Sequence, residues 1–491
     1  QAAGYEVLVK TTGCEAMFIH GVPGRTAREI FLHRPYGKAT IWEHRDVLRL
    51  AARLGVQAFL WECMALRPRF VDVLAHHWMR GKLATITNAY PDHEDQMGPS
   101  GEDVARVIAR FVPRNGHVIT SEVQMLPLLR QRAADAGSDL TAVSPGQIDR
   151  LAPDLLARFP YQEHPANIAL VAALAAHLGL DPHRAIVDMA DHVVPDVGVL
   201  RTYPEVPYRG RRVDITNGMS ANERAGCLAN WERLGLENLD LDGSERIVTI
   251  VNNREDRLAR SRVFARLIVR DIASDAHVCV GTNLKGLRRL IHEALEGWLS
   301  EQRVAEDDAR WSTEMADAAV ERFDRKLRNL RVGSLDRTRF AARVARCVAS
   351  VLPVEAQQLA DELGQSFVPR EVRAVLARRL ARRPAAEKIA TWFRLEMDLD
   401  RLCAERGFVE QARAAIQQAS DPSAANATFR RAYRRLFWAR VVFIDDPDVS
   451  ADRVIDTAAR CVPCGERAHL VGLQNIKGVG LDLVYRWIAV E

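Results

Sequence analysis

The sequence predicts an α/β protein made of two parallel-sheet domains and an all-helical insertion. Strand-like apolar runs alternate with helix-spaced runs up to about residue 195, and again from about residue 206 to residue 300. The alternation stops between 301 and 440 and resumes after Asp445. Alternating strands and helices form parallel sheets, so a pattern that pauses and resumes indicates an inserted domain. We therefore expect one domain at 1–205, a second at 206–300 plus 441–491, and the insertion at 301–440.

The first domain begins with a well-marked alternation. Residues 43–54 have helical spacing and stop at Gly55, and Ala58–Trp61 is a short apolar run typical of a buried strand. A second helix is predicted at 68–79 and a second strand at 83–87. We interpret these segments as one β-α-β unit with its two strands neighbouring each other in a single parallel sheet.

The second domain shows the same pattern in two pieces. Strands are predicted at 246–251 and 276–280, with a helix at 261–272 between them. After Asp445 we predict a helix from Asp452, a strand at 469–473 and a last helix that ends near Ile488. We expect the strand at 469–473 to share a sheet with the strands at 246–251 and 276–280.

The insertion is distinguished by helical spacing and by charge. Apolar residues recur at helical intervals at Phe340, Val344, Val348 and Val351, and again at Val372, Val375, Leu376 and Leu380. The segment carries 27 Lys and Arg against 20 Asp and Glu. A basic, arginine-rich helical block favours contact with an anionic polymer or a membrane surface, and a solvated bundle used for self-association is an equal alternative.

Composition narrows the class of protein. The chain of 491 residues is 48% apolar and 27% charged, which is ordinary for a globular protein, and it has no apolar run of the length that spans a bilayer. The net charge of +4 gives no indication of a nucleic-acid partner. Only Cys461 and Cys464 lie close together among the eight cysteines, which favours buried structural thiols over a zinc site, with a metal or redox role as the alternative.

Polar side chains follow the two predicted strands of the first domain. Glu62 comes directly after Ala58–Trp61, and Asn88, Asp92, His93 and Asp95 follow 83–87. Because parallel sheets place ligand sites beyond the carboxyl ends of their strands, Glu62 and His93 are candidates to hold one divalent ion beside phosphate oxygens. The alternative is that Glu62 caps a helix and His93 lies in a solvated turn.

The same residues resemble a known family. T-N-A-Y-P-D-H-E-D-Q-M-G at 87–98 resembles the T-N-x-x-x-D-H-x-D signature of Mur ligases and folylpolyglutamate synthases. E-C-M at 62–64 and K-T-T-G at 10–13 resemble, more narrowly, the ligase subunits of poly-γ-glutamate synthases of the capsule B type. The resemblance continues in P-A-N-I-A-L-V-A-A-L-A at 165–175, P-D-V-G-V-L-R at 195–201, N-G-M-S-A-N-E at 217–223, N-N-R-E-D-R at 252–257 and G-L-Q-N-I-K-G at 472–478.

The resemblance implies a fold and a reaction. It implies a Mur-ligase-like ATP-binding domain followed by a Rossmann-like ligase domain, and it says nothing about the insertion. Enzymes of this type use ATP and Mg²⁺ to convert a carboxylate into an acyl phosphate, which an amine then attacks to give an amide and ADP. For this family, the carboxylate is the γ-carboxyl of a glutamyl chain and the amine belongs to another glutamate.

The resemblance also implies roles for individual residues. Glu62 and His93 would hold Mg²⁺ and, with Thr12, form the catalytic group. The implied nucleotide-binding residues are Thr11, Gly13, Asn167, Arg201, Asn217 and Asn222.

Three arginines are candidates for substrate binding on chemical grounds. Arg254, Arg257 and Arg260 follow a predicted strand end, and guanidinium groups bind carboxylates through paired hydrogen bonds. These side chains are therefore candidates to bind the carboxylates of glutamate. The equal alternative is a solvated helix start.

The sequence departs from the family pattern in two ways that bear on activity. No G-x-x-G-K-[ST] phosphate-binding loop occurs between Gln1 and Glu491, and no lysine occurs between Lys82 and Lys285 to serve as a carbamylated magnesium contact. We expect the loop on a segment upstream of Gln1. A ligase for another amino acid or a peptidoglycan-like precursor, and a non-catalytic scaffold subunit, remain alternatives.

The resemblance further implies partners and a location. Poly-γ-glutamate synthases work with small integral membrane subunits, so we expect glutamate, its γ-linked polymer and such a subunit as partners, at the cytoplasmic face of a bacterial membrane. Self-association into a homo-oligomer is a further expectation.

Overall fold

The computed structural model describes residues 1–13, 16–34, 39–306, 311–333, 336–350 and 386–489. The chain folds into two compact units, residues 1–201 and residues 202–491, and each is described here by itself. The predicted helical repeat at Val372, Val375, Leu376 and Leu380 lies outside the described residues, as does Val351. Elements are numbered in chain order over the described residues.

Unit 1 contains two small sheets. The first has the strand order β3-β2-β1-β4, in which β1 is antiparallel to β2 and parallel to β4, and the second has the order β5-β6-β7 with parallel neighbours. The strands are β1 Val7–Lys10, β2 Met17–Gly21, β3 Arg28–Phe31, β4 Ala58–Trp61, β5 Leu83–Ile86, β6 His117–Thr120 and β7 Asp139–Ala142.

The pairing corrects one prediction. The strands at Ala58–Trp61 and Leu83–Ile86 form where predicted, but they belong to different sheets and therefore do not form one β-α-β unit with neighbouring strands. The prediction was wrong because periodicity locates a strand without naming its partner, and β4 pairs instead with Val7–Lys10.

The helices of unit 1 are short. The first begins where Thr40 adopts an extended backbone and its amide donates to Glu43, and it ends at Gly55, whose positive φ suits a glycine cap. The predicted helix at 68–79 is α-helical only in its first turn and continues as a π-helix, Val73–Met79. The α-helices are α1 Ile41–Leu54, α2 Pro68–Asp72, α3 Glu94–Met97, α4 Gly101–Ile108, α5 Leu126–Asp135, α6 Pro145–Ile148, α7 Pro153–Ala157, α8 Pro165–His177 and α9 Pro182–His192.

Unit 2 is built on one sheet of six strands in the order β12-β11-β10-β13-β9-β8. The strands are β8 Arg201–Tyr208, β9 Arg211–Asn217, β10 Glu245–Asn253, β11 Ala276–Gly281, β12 Val441–Phe443 and β13 Arg467–Leu473. The pairings β10 with β11, β10 with β13, and β13 with β9 are all parallel. β13 therefore shares a sheet with β10 and β11, as predicted. It lies beside β10 in the middle of that sheet.

Helices cover the sheet and form the whole described part of the insertion. Between residues 301 and 440, the segments 301–306, 311–333, 336–350 and 386–440 contain no strand. The sequence analysis missed β12, whose three residues are too few to show a period. The helices are α10 Arg224–Arg233, α11 Leu258–Arg270, α12 Leu284–Glu301, α13 Thr313–Leu327, α14 Arg337–Ala349, α15 Ala386–Gln417, α16 Pro422–Trp438, α17 Ala451–Arg460 and α18 Val479–Ile488.

The insertion shares one hydrophobic core with the sheet. Val251 on β10 and Phe264 on α11 belong to the same buried cluster as Phe323 on α13 and Phe429 on α16. Within it, the ring centroid of Tyr433 lies 4.6 Å from that of Trp298 on α12, a separation at which aromatic pairs add to area burial. The helices after residue 301 are therefore packed onto the sheet rather than tethered to it.

A buried ion network joins the insertion to the amino end of the sheet. The carboxylate of Glu466, just before β13, is 0% exposed and accepts hydrogen bonds from Arg246 on β10 and Arg343 on α14, the shortest at 2.7 and 2.8 Å. Burial alone would raise the pKa of Glu466, but the charges of Arg343 and Arg246 outweigh it and hold that pKa at about 2. Glu466 therefore remains ionised in the interior.

Within the described part of the chain, no helix is both long enough and apolar enough to cross a bilayer.

We predict that Glu466→Gln destabilises unit 2 by about 3 kcal/mol or more, because it leaves the buried guanidinium of Arg246 and the partly buried one of Arg343 without their carboxylate. The folded-state pKa is lowered, so the stability contributed by this carboxylate is present above its unfolded value and is lost as pH falls toward about 2. Urea unfolding at neutral pH measures the first effect, and the same titration repeated at decreasing pH measures the second.

The matched control is Glu321→Gln on α13, whose side chain is 74% exposed. Surface changes of this kind alter stability by less than about 0.5 kcal/mol. Equal unfolding midpoints for the two variants would show that Glu466 does not hold the network together.

Candidate functional site

The carboxyl edge of the unit 2 sheet gathers polar residues from distant parts of the chain. Asn217 ends β9, Asn253 ends β10 and Gly281 ends β11, and Gln474 follows β13 directly. Because these strands are parallel, their last residues lie at one edge of the sheet. This is the edge at which open α/β sheets bind ligands.

Side-chain amides connect these strand ends. The Asn253 carbonyl oxygen Oδ1 accepts from Ser261 Oγ at 2.7 Å and from Gln474 Nε2 at 2.9 Å. Asn252 Nδ2 donates to the backbone carbonyl of Asn475 at 2.6 Å, and Asn475 Nδ2 donates back to the carbonyl of Asn252 at 2.9 Å. The segments 252–257 and 472–478 are thus locked together by reciprocal hydrogen bonds.

Gln474 is the most constrained member of this amide cluster. It is fully buried, its φ is +80°, and its side-chain oxygen Oε1 lacks a hydrogen-bond partner among the described residues. A non-glycine residue in the left-handed region and a buried unpaired acceptor are both costly, and such costs concentrate at functional sites. Sequence reasoning missed Gln474 as a site residue, although it lies within the quoted segment 472–478.

A third segment packs onto the same edge. Met219 lies in the segment 217–223, and a side chain added at Gly472 or Gly480 would collide with its sulfur end. Glycine at these two positions lets Met219 approach the loop after β13. Residues 217–223 and 472–480 therefore form one packed unit, although about 250 positions separate them in the sequence.

The structure divides the three predicted substrate-binding arginines into two groups. Arg254 makes two hydrogen bonds to Asp256, at 3.0 and 2.8 Å, and Arg257 lies 3.7 Å from the same carboxylate. Arg260 Nη1 instead donates to Asn475 Oδ1 at 3.0 Å and so joins the amide cluster. All three lie at the carboxyl end of β10, and their binding of a substrate carboxylate stays a prediction.

The two asparagines of segment 217–223 have different surroundings. Asn217 is buried, and its Oδ1 accepts from the backbone amide of Met219 at 3.2 Å. The Oδ1 atom of Asn222 is also buried but has no hydrogen-bond partner among the described residues. Asn217 is engaged in shaping its loop, and the nucleotide-binding roles of Asn217 and Asn222 stay predictions.

In unit 1, the predicted K-T-T-G and E-C-M segments meet. The backbone amide of Thr12 donates to Glu62 Oε2 at 2.6 Å, and the Thr11 hydroxyl accepts from the amide of Met17 at 3.1 Å. A side chain at Gly13 would lie 3.2 Å from a carboxylate oxygen of Asp196, in the segment 195–201. Thr12 and Glu62 are therefore together, because β1 and β4 are parallel neighbours whose carboxyl ends coincide.

A buried charged group, which the sequence analysis did not predict, lies close to the contact between Thr12 and Glu62. Lys10, fully buried at the end of β1, lies 3.2 Å from Glu43, which also accepts two hydrogen bonds from Arg34. Desolvation lowers the pKa of Lys10 despite the opposing charge of Glu43. His44 Nε2 donates to the backbone carbonyl of Glu62 at 2.7 Å, and burial lowers the pKa of His44 to about 4.

The loop that carries His93 is held from the neighbouring strand. Glu122, buried after β6, accepts from the backbone amides of Ala89 at 2.6 Å and Met125 at 2.9 Å. His93 itself has φ +52°, and its Nε2 lies 3.6 Å from Asp92. Glu122 was not predicted, since the strand before it, His117–Thr120, was not among the predicted strands.

The metal assignment stays a prediction. Glu62 and His93 follow strands of different sheets, and no group of three or more His, Cys, Asp and Glu side chains that could hold a metal ion occurs in the described ranges. The donor set at Glu62 nevertheless fits a hard cation, because one carboxylate oxygen is oriented by Thr12 and the side chain is exposed.

The remaining predicted nucleotide-binding residues lie in unit 1 and at its end. Asn167, in the first turn of α8, donates from Nδ2 to Glu163 at 2.8 Å. Arg201 is the last residue of unit 1 and opens β8. Their contacts with a nucleotide stay predictions.

The described cysteines are free thiols: Cys63, Cys227, Cys279, Cys347, Cys403, Cys461 and Cys464. Burial raises the pKa of the Cys279 thiol to about 12, as expected for a thiol that packs as an apolar group.

Comparison with known proteins identifies relatives of this chain. Residues 202–342 match the family described as the poly-gamma-glutamate synthase CapB C-terminal domain. The chain is 29% identical over 310 residues to the capsule biosynthesis protein CapB of Bacillus anthracis, covering 61% of this chain and 64% of that relative. It is 26% identical over 291 residues to PGA synthase CapB of Bacillus subtilis strain 168, covering 59% of this chain and 71% of that relative.

Two solved structures are also similar to this chain. E. coli FolC in complex with ADP is 17% identical with a TM-score of 0.38, covering 61% of this chain and 78% of that chain. A folylpolyglutamate synthase/dihydrofolate synthase of Yersinia pestis is 15% identical with a TM-score of 0.41, covering 61% and 78%. The family resemblance seen in the sequence is confirmed, and the chain spans less than two thirds of the length of the Bacillus anthracis relative.

We predict that His44 stays neutral until pH falls to about 4, because burial removes the solvation that its charged form needs. Its folded-state pKa lies below the unfolded value, so protonation of the unfolded chain should weaken folding as pH falls below about 6.5. An NMR titration of the histidine ring signals measures this pKa, and loss of one signal in His44→Asn assigns it. A His44 midpoint near the unfolded value would contradict the buried, neutral assignment.

Proposed function

We propose that this protein is an ADP-forming amide ligase that joins the γ-carboxyl of a glutamyl chain to the amine of another glutamate. The observation that carries the proposal is the convergence of segments 217–223, 252–257 and 472–478 on one sheet edge. Residues that are scattered in sequence yet hydrogen-bonded in space serve a shared site. The relatives named for capsule biosynthesis and PGA synthesis supply the reaction class.

ATP and a divalent ion are the reactants that this chemistry requires. Transfer of the γ-phosphoryl group of ATP to a carboxylate yields an acyl phosphate, and Mg²⁺ would neutralise charge on the transferred group. Glu62 and His93 are the residues that would hold Mg²⁺. Asn167, Arg201, Asn217 and Asn222 are the residues that would hold the nucleotide, with Thr11 and Gly13 near the reacting phosphate.

In unit 1, the protein's own task is to fix the catalytic groups before the reactants arrive. The backbone amide of Thr12 donates to one carboxylate oxygen of Glu62, and this contact also fixes the direction of the second oxygen. His44 fixes the backbone of Glu62 from the buried side. Preorganised groups of this kind need no rearrangement during the reaction, which is the main source of stabilisation for a charged transition state.

In unit 2, the protein's task is to bind glutamate carboxylates. Arg254 and Arg257 both lie against the single carboxylate of Asp256. A substrate carboxylate that displaced Asp256 would lie beside two guanidinium groups. Arg260 is oriented by Asn475 and lies in the first turn of α11. A glutamyl substrate with its carboxylates held here would keep its amine free for attack on an acyl phosphate, an intermediate that must be kept from water.

Partners and location follow from the same proposal. A γ-linked glutamate polymer that leaves the cell needs an export route, so we propose attachment to a small integral membrane subunit at the cytoplasmic face of the membrane. The basic, arginine-rich helices after residue 301 suit either that contact or contact with the polymer.

We predict that full-length protein with ATP, Mg²⁺ and glutamate releases ADP and phosphate in equal amounts. Glu62→Ala or His93→Ala should lower turnover by roughly 100-fold or more, because charge neutralisation at the transferred phosphoryl group has no substitute within the site. Coupled measurement of ADP and phosphate, with hydroxylamine trapping of glutamyl phosphate, tests both statements.

Glu321→Gln serves as the control, since its exposed side chain lies on α13 and outside the carboxyl edge. Release of AMP and pyrophosphate would show that the carboxylate is activated by adenylation. Incorporation of another amino acid in preference to glutamate would favour a ligase with a different substrate, and absence of turnover would favour a scaffold subunit.

We also predict that the full-length protein sediments with membranes when it is produced together with its membrane subunit. The physical reason is that attachment has to come from protein contacts or from residues beyond those described, since no described helix can span the bilayer. Fractionation with and without the subunit, followed by immunoblotting, measures the attachment. Recovery in the soluble fraction under both conditions would contradict it.

A further inference from the structure

A cavity lies at the opposite edge of the unit 2 sheet, away from the amide cluster. Its volume is about 300 Å³, and its walls come from the amino ends of β10, β11 and β12, at Arg246, Ala276 and Val442, and from the insertion helices α15 and α16. The predicted catalytic residues and the family segments of the carboxyl edge are absent from its walls. It is therefore a second site, formed only where the insertion meets the sheet.

Arginine dominates the charged groups that line this cavity. Among the described residues that line the cavity, two carry a carboxylate, Asp275 and Glu405. The lining arginines are Arg246, Arg331, Arg343, Arg401, Arg435 and Arg440. Six cations and two anions around one small volume leave a positive field that an anionic ligand would neutralise.

The carboxylates near the cavity are already engaged by its inner arginines. Asp275 accepts from Arg331 at 2.8 Å, and Glu405 accepts from Arg440 at 2.6 Å. Glu466, behind the wall, is shared by Arg246 and Arg343. Each inner arginine therefore has a carboxylate partner, whereas the two remaining arginines of the lining, Arg401 and Arg435, add further positive charge.

The rim is formed by Arg401 on α15 and Arg435 on α16. Arg401 is 41% exposed, donates to the carbonyl of Arg460 at 2.9 Å and lies 3.7 Å from Asp398, a carboxylate that Arg211 already binds at 2.8 Å. Arg435 is exposed, and its guanidinium carbon lies 4.1 Å from the centroid of the Phe408 ring, without an ion pair to a carboxylate of the described residues. An arginine placed over an aromatic ring can still donate hydrogen bonds to a ligand.

We propose that this cavity binds the carboxylates of a γ-linked glutamate chain and holds the polymer at a distance from the catalytic edge. A γ-linkage consumes the side-chain carboxyl and the amine of each residue, so every residue of the polymer retains a free α-carboxylate. Such a chain is a flexible polyanion, and guanidinium groups are the side chains best suited to bind successive carboxylates. The identity of the ligand rests on the proposed function, whereas the oxyanion site itself rests on the cavity alone.

The location of the site matters for what it does. A polymer bound at the amino edge does not compete for the carboxyl edge, where a new bond would form. Holding a distant part of the chain raises the effective concentration of its end at the catalytic edge, as any second binding contact does. The site would therefore favour extension of a bound chain over the start of a new one.

The test uses full-length protein and a fluorescent γ-linked glutamate oligomer, with binding followed by anisotropy in the absence of ATP. The variant Arg401→Gln/Arg435→Gln removes the rim charge at exposed positions, so folding should be retained, and circular dichroism checks this. Arg431→Gln is the matched control, because Arg431 is exposed on the same helix one turn before Arg435 and does not line the cavity. We expect the double variant to bind the oligomer at least about tenfold more weakly, from the loss of charge-assisted hydrogen bonds, and the control to bind as the parent does.

Competition assays then identify the ligand. An unlabelled γ-linked oligomer should displace the probe at lower concentration than an α-linked glutamate oligomer of equal length or inorganic phosphate. Equal binding by the double variant and the control would overturn the site, and equal displacement by the α-linked oligomer or by phosphate would overturn the polymer as its ligand. Binding in a protein that releases no ADP would sink the proposed function and leave the oxyanion site, whereas ADP release without binding would sink only this inference.

Discussion

The architecture of unit 2 depends on keeping the Glu466 carboxylate ionised in the protein interior. A charge with no access to water is tolerated only where opposite charges and hydrogen bonds replace its hydration. Arg246 and Arg343 provide that replacement, and they come from β10 and from α14 of the insertion. Arg246 also donates to the backbone carbonyls of Leu241 and Gly243, so the same side chain ties down the loop that enters β10. Sheet and insertion therefore depend on each other at the amino edge.

This constraint leaves the two edges of one sheet with different chemistry. The amino edge is crowded with ions and closed by helices, whereas the carboxyl edge is built from neutral amides, chiefly Asn252, Asn253, Gln474 and Asn475. An amide both donates and accepts, so a buried cluster of amides can be satisfied without net charge. The amide cluster adds no charge to this edge, and the nearby carboxylate of Asp256 is paired with Arg254. The strained backbone of Gln474 shows where this edge departs from ordinary packing.

Unit 1 also contains a buried ionic group, which lies close to the contact between Thr12 and Glu62. Lys10, Glu43 and Arg34 lie behind the end of β1, while His44 holds the backbone of Glu62. Together they fix the chain on both sides of the contact between Thr12 and Glu62. These contacts present the Glu62 carboxylate, the proposed cation ligand, in one orientation.

The sequence by itself determined several of the elements and a resemblance to a family. Local periodicity located helices and strands such as α1, β4 and β10 to within a few residues, because the burial of one face leaves a repeating trace in neighbouring positions. The motifs were sufficient to indicate the relatives, whereas the hydrogen bond between Thr12 and Glu62 was found only in the structure. Only the tertiary structure decided which strands pair, since β4 and β5 proved to belong to different sheets. It alone showed Glu466, Gln474, Glu122 and His44 as buried partners, and it alone assembled the arginines of the cavity, which lie between positions 246 and 440. Such groups act through neighbours that are distant along the chain but close in space. Closeness in space between distant residues leaves no periodic pattern in a single sequence.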